Sequence, residues 1–286
     1  MKSEDLRRTE DYFEASAGRR LFFRTWQPEN AARVMVIVHG FGEHSARYEE
    51  ISSWFAQRGS AVYALDHQGH GRSPGKRGHV DRFEDLLDDV EALLELTASA
   101  RPGLPRILVG HSLGGLIVTA LACERKVNAD LAAVSGPALL LSPDVSPTKL
   151  LAAKLLKRLV PGLAMDAGLD PRGLSRDSAV VEAYLADPLV HSRITVSLAS
   201  GMADVAGRIH ESARDLRIPM LLLHGESDPI CSVEGSRAFR DAMPLDSVPG
   251  SELRTYPGLR HEIFNEPERG GVYADLLDWI LRMESR

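Results

Sequence analysis

The sequence predicts an α/β protein with a mostly parallel central sheet, helices on both faces and a helical cap inserted late in the chain. Three observations predict it. Short apolar runs rich in β-branched residues recur at 34–38, 61–65, 107–109, 131–135 and 218–224, as expected of strands buried on both faces of a parallel sheet. Stretches with helical character stand between them, and strands alternating with helices imply βαβ units. The stretch 137–209 breaks this alternation: it has no strand-like run, and Pro137, Pro143, Pro147, Pro161, Pro171 and Pro188 punctuate short helical pieces. The expected organisation is therefore a core over 1–136, a cap over 137–209 and the rest of the core over 210–286.

Taken in order, 11–15 and 21–26 flank Ala17-Gly18-Arg19-Arg20 and read as an antiparallel hairpin. The strand at 34–38 ends in His39-Gly40-Phe41-Gly42-Glu43-His44-Ser45, and a helix over 48–58 closes at Gly59. The strand at 61–65 ends in Asp66-His67-Gln68-Gly69-His70-Gly71-Arg72-Ser73. An amphipathic helix with acidic residues outward covers 81–100. The strand from Ile107 ends in Gly110-His111-Ser112-Leu113-Gly114, with a helix following at 116–123. In the cap, 147–160 sets Leu151, Leu155, Leu156, Leu159 and Val160 on one arc and Lys154, Lys157 and Arg158 on the other. Two readings stand for it: a lid helix packed on the core, or a basic amphipathic surface that touches lipid. After the cap come the strand at 218–224, a helix at 233–242, a last strand at 252–256 and a closing helix at 271–283. Right-handed crossovers place the loops at 39–45, 66–73 and 110–115 on one edge of the sheet, where an active site belongs.

Composition narrows the function. A hydrophobic share of 44% is ample for one large core with an insertion, and a net charge of −6 argues against nucleic-acid binding. No stretch approaches ~20 uninterrupted apolar residues, and the charged N-terminus lacks the apolar region of a secretory signal. Cys123 and Cys231 make no disulfide framework, so two reduced thiols in a cytoplasmic protein are expected.

Gly110-x-Ser112-x-Gly114 between a strand and a helix has the context of a nucleophile elbow. A serine on so sharp a turn needs small neighbours two residues away, and the turn lifts its hydroxyl above the sheet. A serine hydroxyl also needs a base, and the base an orienting acid. The strand-end loops after Ser112 offer Glu226 and Asp228; Asp228, held before Pro229, is the expected acid. His261 is the only histidine on the loop after the last strand and is the expected base. Backbone N–H groups of Leu113 and Phe41 are the expected oxyanion donors. His39 and His111 are read as shaping their loops and His224 as a core residue, while His191 and His210 have no suggested partner. His67 and His70 have metal-compatible spacing, but no set of ligands completes a site. No metal or other cofactor is expected.

With these residues assembled, the chain resembles the monoglyceride (monoacylglycerol) lipase family of the α/β-hydrolase superfamily over nearly its whole length. The matching stretches run from His39 to Tyr48, Asp66 to Ser73 and Gly110 to Gly115; further matches are Val145-Ser146-Pro147, Asp187-Pro188-Leu189 and Tyr256 to Glu262. The resemblance implies an α/β-hydrolase fold, hydrolysis of monoacylglycerols to glycerol and fatty acid, a mobile amphipathic cap and peripheral membrane contact. It implies that Glu43, Arg47, His111 and Tyr184 hold the glycerol, and it puts Cys231 close to the active site. Phe41 departs from mammalian members, which carry a smaller residue there. A broader carboxylesterase or lysophospholipase remains the alternative; a non-catalytic binding relative is disfavoured because Ser112, Asp228 and His261 are all present.

Overall fold

The computed structural model describes residues 6–142 and 159–286. Strands β1 (Arg7–Glu14) and β2 (Arg20–Gln27) form the N-terminal hairpin. Strands β3 (Arg33–Val38), β4 (Ser60–Leu65), β5 (Arg106–His111) and β6 (Leu131–Ser135) follow. Helices α1 (Glu49–Ala56), α2 (Glu84–Ala100) and α3 (Leu113–Glu124) connect them. The cap region supplies β7 (Ala164–Asp166), α4 (Ser178–Ala186), β8 (Arg193–Thr195) and α5 (Val196–Ser212). The chain then completes the core with β9 (Met220–Gly225), α6 (Val233–Ala242), β10 (Glu252–Tyr256) and α7 (Arg269–Glu284).

The described residues form a sheet of order β1-β2-β4-β3-β5-β6-β9-β10. It is parallel from β4 to β10, and only β2 runs against the other strands, with Phe23 opposite Leu65. Alternation along each central strand explains the unbroken apolar runs. Val34, Val36, Val38, Leu108 and Leu222 face one side, where they join apolar residues of α2, α3, α5 and α6. Met35, Ile37, Ile107, Val109, Leu221 and Leu223 face the other, against α1 and α7, including the fully buried Trp279. Each such side chain contributes roughly 1.5–3 kcal/mol on burial. Both faces are covered, so the strand middles are apolar and the buried polar residues Ser60, His111, Ser135 and His224 sit at or next to strand ends.

Helix α3 extends one turn earlier than its apolar stretch suggests, starting at Leu113 directly after Ser112. The cap differs from expectation in another way. The stretch read as free of strands contains β7 and β8, paired antiparallel from Ala164↔Thr195 to Asp166↔Arg193. Strands of three residues are too short to show alternation. The boundary expected at 209 falls inside α5, whose Leu198, Val205 and Ile209 belong to the main core. The helix expected over 147–160 lies outside the described residues apart from Leu159 and Val160, which are exposed. Among the described residues no helix is long and apolar enough to cross a membrane.

Candidate active site

The strand–turn–helix at β5 and α3 forces Ser112 into an unusual backbone state. Its φ of 53° and ψ of −114° lie in the left-handed half of dihedral space, costly for a residue with a Cβ. The glycines make the turn possible. A Cβ on Gly110 would meet the Gly114 carbonyl oxygen at 2.3 Å, and one on Gly114 would meet the Val38 carbonyl oxygen at 2.0 Å. The Ser112 amide donates to Ser135 O of β6 at 3.0 Å, and its carbonyl accepts from Ala138 at 3.1 Å and starts α3 through Leu116 at 3.0 Å.

Asp228 and His261 come from the loops after β9 and β10. Asp228 Oδ1 accepts from the backbone N–H of Ile230 (2.8 Å) and Cys231 (2.9 Å), which orients the carboxylate. Oδ2 then accepts from His261 Nδ1–H at 2.7 Å. The neutral ring therefore keeps Nε2 free to accept a proton. Burial works against charge at both groups. Even so, the paired imidazole holds the Asp228 carboxyl well below the usual carboxylate range, and the carboxylate raises His261 above its ordinary value. The rejected acid, Glu226, is exposed and accepts from Thr255 Oγ1 at 2.7 Å.

The loop after β3 is held by His39 and by His67 of the loop after β4. His39 Nδ1–H donates to Gly40 O at 2.7 Å, and Nε2 accepts from the His67 amide at 2.9 Å. His67 Nε2–H returns a bond to His39 O at 3.2 Å. The Phe41 ring packs edge-on to His70 and His191, with centroids 6.1 and 5.8 Å away. Burial lowers all four imidazoles and pushes His67 down to about 4, so they stay neutral. Asp66 explains the second glycine-rich motif. Its carboxylate accepts from the amides of Ser45 (2.7 Å) and Arg72 (2.8 Å), while Gly71 leaves room for it. The spacing of His67 and His70 thus serves loop architecture, and among the described residues no group of His, Cys, Asp and Glu could hold a metal ion.

Two cavities meet at Ser112 and Phe41. A small one of about 40 Å³ lies between the loops after β3 and β10, with His261 in its wall. A large one of about 1340 Å³ runs under the cap between Leu139–Leu141, Met165, Ile194 and the α5 side chains of Ala199, Met202, Ala203 and Ala206. Its wall is mainly apolar.

Residues 29–268 match the family model described as "Serine aminopeptidase, S33". The chain is 38% identical to the monoacylglycerol lipase of Mycolicibacterium smegmatis, over 96% of this chain and 97% of that protein. It is 33% identical to human monoglyceride lipase, over 92% of this chain and 87% of that protein. The crystal structure of Paleococcus ferrophilus monoacylglycerol lipase superposes with a TM-score of 0.85 at 35% identity, covering 92% of this chain and 99% of that one. The chain belongs to the monoacylglycerol lipase family of α/β-hydrolases. As a member of that family it is a carboxylic ester hydrolase.

The structure brings Glu43, Arg47, His111 and Tyr184 together on the wall of the small cavity beside Ser112. Their polar atoms are already engaged to different degrees. Glu43 and Arg47 bond to each other at 2.7 Å, and His111 Nδ1 lies 3.0 Å from both the carbonyl and the hydroxyl of Ser135. The Arg47 guanidinium stacks on the Tyr184 ring at 4.8 Å. Cys231 is buried, its amide on the Asp228 carboxylate and its thiol pushed up by burial. His224 is the satisfied core residue the sequence suggested, fully buried with Nε2 donating to Cys231 O at 3.0 Å. It also lies 3.3 Å from Asp228 Oδ2, a contact the sequence did not indicate. Glu262, next to His261, escaped the sequence reading and takes Arg47 in a two-pronged bond. The only signal for it was proximity in sequence to His261.

Proposed function

We propose that the protein hydrolyses monoacylglycerols to glycerol and a free fatty acid by acyl transfer through Ser112. His261 Nε2 takes the Ser112 proton as the hydroxyl attacks the ester carbonyl, and Asp228 holds the ring and balances the imidazolium that forms. The backbone N–H groups of Leu113 and Phe41 donate to the tetrahedral oxyanion. Collapse expels glycerol with the proton from His261, leaving an acyl-Ser112 ester; water, deprotonated by His261, then releases the acid. The acyl chain occupies the large apolar cavity and the glycerol the small one, where Glu43, Arg47, His111 and Tyr184 face it.

The carrying observation is the 2.7 Å Asp228–His261 bond beside a Ser112 at which a large apolar cavity meets a small one carrying charged side chains. Exposed Leu159, Leu163 and Leu185 on the cap support peripheral contact with lipid, and the two free, buried cysteines suit a reducing compartment such as the cytoplasm. One observation favours a broader carboxylesterase: Glu43 and Arg47 spend hydrogen bonds on each other instead of leaving them open for a leaving group. A panel of monoacylglycerols, diacylglycerols, lysophosphatidylcholine and p-nitrophenyl esters of matched chain length separates the two. A preference for monoacylglycerols is expected; equal turnover of all esters would reduce the assignment to a general esterase.

A further inference from the structure

The loops that carry Phe41 and His261 come from opposite ends of the chain, yet a buried line of charges joins them. Arg47 donates from Nη1 to Glu262 Oε1 at 2.6 Å and from Nη2 to Glu262 Oε2 at 2.8 Å. Nη1 also reaches Glu43 Oε2 at 2.7 Å. Glu43 Oε1 accepts from the Gly40 amide and the Tyr48 hydroxyl, each at 2.7 Å. Asn265 completes the line by donating to Glu262 Oε2 at 2.8 Å. The side chains of Arg47, Glu43 and Glu262 are 10%, 5% and 4% exposed.

Two features exceed what packing alone would need. First, two carboxylates share one guanidinium, so the line carries surplus negative charge in a buried place. Such a charge is expensive unless a cation forms beside it. His261 is that neighbour: it directly precedes Glu262 in the chain and lines the same small cavity as both carboxylates. Glu262 and Glu43 both favour its protonated ring, behind burial and the larger effect of Asp228. Second, Glu43 consumes the Gly40 amide, the donor just before Phe41, and a Cβ on Gly40 would already stand 2.8 Å from Glu43 Oε1 and 3.2 Å from Ser112 Cβ. The carboxylate therefore fixes the loop where it passes so close to the nucleophile that only glycine fits.

Building on the serine-hydrolase reading above, we infer that Glu43, Arg47 and Glu262 form a positioning clamp for catalysis. Arg47 locks the loop of the oxyanion donor to the loop of the base. The surplus carboxylate charge stabilises the His261 imidazolium that forms when Ser112 gives up its proton. In this role the three act through Phe41 and His261 and touch no reacting atom. The other titratable or charged groups around His261 are Asp228 on the β9 loop, with His224 and Cys231 behind it, and His111 at the end of β5, its ring 4.7 Å away. All of these stay intact in the tests.

The test is the pH dependence of kcat and KM on a monoacylglycerol and on p-nitrophenyl butyrate. Glu262→Gln keeps the shape and an acceptor but removes the charge. It is expected to move the acidic limb to lower pH by about half a unit and to lower plateau kcat on both esters by about tenfold, with KM nearly unchanged. Arg47→Lys keeps the charge but loses the fork; it is expected to lower kcat on both esters while leaving the limb in place. An unmoved limb in Glu262→Gln, or a loss confined to KM for the monoacylglycerol, overturns the clamp. If Glu262→Gln fails to fold, Glu43→Gln carries the same charge test, with the same shift expected and an unmoved limb overturning the inference. Titration with a fluorophosphonate counts competent Ser112 in every sample. Wild-type protein that neither labels nor turns over either ester overturns the hydrolase reading itself, whereas labelled, active variants with an unmoved limb overturn only the clamp.

Discussion

The small and large cavities share Ser112 but differ in size and in the charged side chains that line them. The small one is walled by the loops after β3 and β10 together with Leu169, Pro171, Leu174 and Tyr184 of the cap, and its charged groups are tied together at hydrogen-bond distances of 2.6–2.8 Å. The large one is bounded mostly by cap residues and α5, whose Ala199, Ala203 and Ala206 give it width by being small. Charged groups buried in a wall must be held in place, because each one left unpaired costs about 1–3 kcal/mol. An apolar wall needs only volume, since it recognises a chain by contact and exclusion of water. In the proposed reaction the acyl group is thus selected by space and the alcohol by fixed donors and acceptors.

The largest expected effect removes the point the cavities share. Ser112→Ala is expected to lower kcat for every ester by about 10⁴-fold or more, with Asp228→Asn and His261→Ala each costing orders of magnitude. Near-normal turnover by purified Ser112→Ala would leave both cavities without a catalytic centre. A milder change tests the large cavity alone. Ala206→Phe is expected to cut kcat/KM for long-chain esters about tenfold while sparing butyrate esters; equal losses on short and long chains would mean that α5 does not bound the acyl site. Tyr184→Phe tests the small cavity. It is expected to cost about 1 kcal/mol on a monoacylglycerol and little on the matching methyl ester, and an equal cost on both would make Tyr184 a support for the Arg47 guanidinium only.

The smallest effects are read in pH. His67 and His111 are buried and lowered from 6.5 to about 4, so the folded state binds fewer protons than the unfolded one in that range. Stability is expected to fall as pH drops from about 6.5 toward 4, visible as a declining thermal midpoint; a flat profile would contradict neutral buried imidazoles. His261 behaves oppositely. Its raised value puts the acidic limb of kcat/KM above the ordinary imidazole value of 6.5, because the base works only when neutral. A limb below that value would show that the Asp228 pairing fails to offset burial.

The sequence by itself determined the α/β architecture and the elbow. Strands such as 34–38 carry their two-sided burial in an unbroken apolar run, and Gly110 and Gly114 mark a turn that only small residues permit. It also ordered Ser112, Asp228 and His261, since each sits at a strand end and all strand ends share one edge. Tertiary structure alone decided the rest. The three-residue strands β7 and β8 hold too few side chains to show a pattern, and only their pairing with each other defines them. The bond of Arg47 to Glu262 spans 215 positions, and no local spacing encodes a contact between residues so far apart. His224 read correctly as a satisfied core residue, but its approach to Asp228 and the identity of its partners, Ser236 and the Cys231 carbonyl, come only from the fold. Local periodicity is written in neighbouring residues, while a buried polar network exists only where distant loops have been brought to one place.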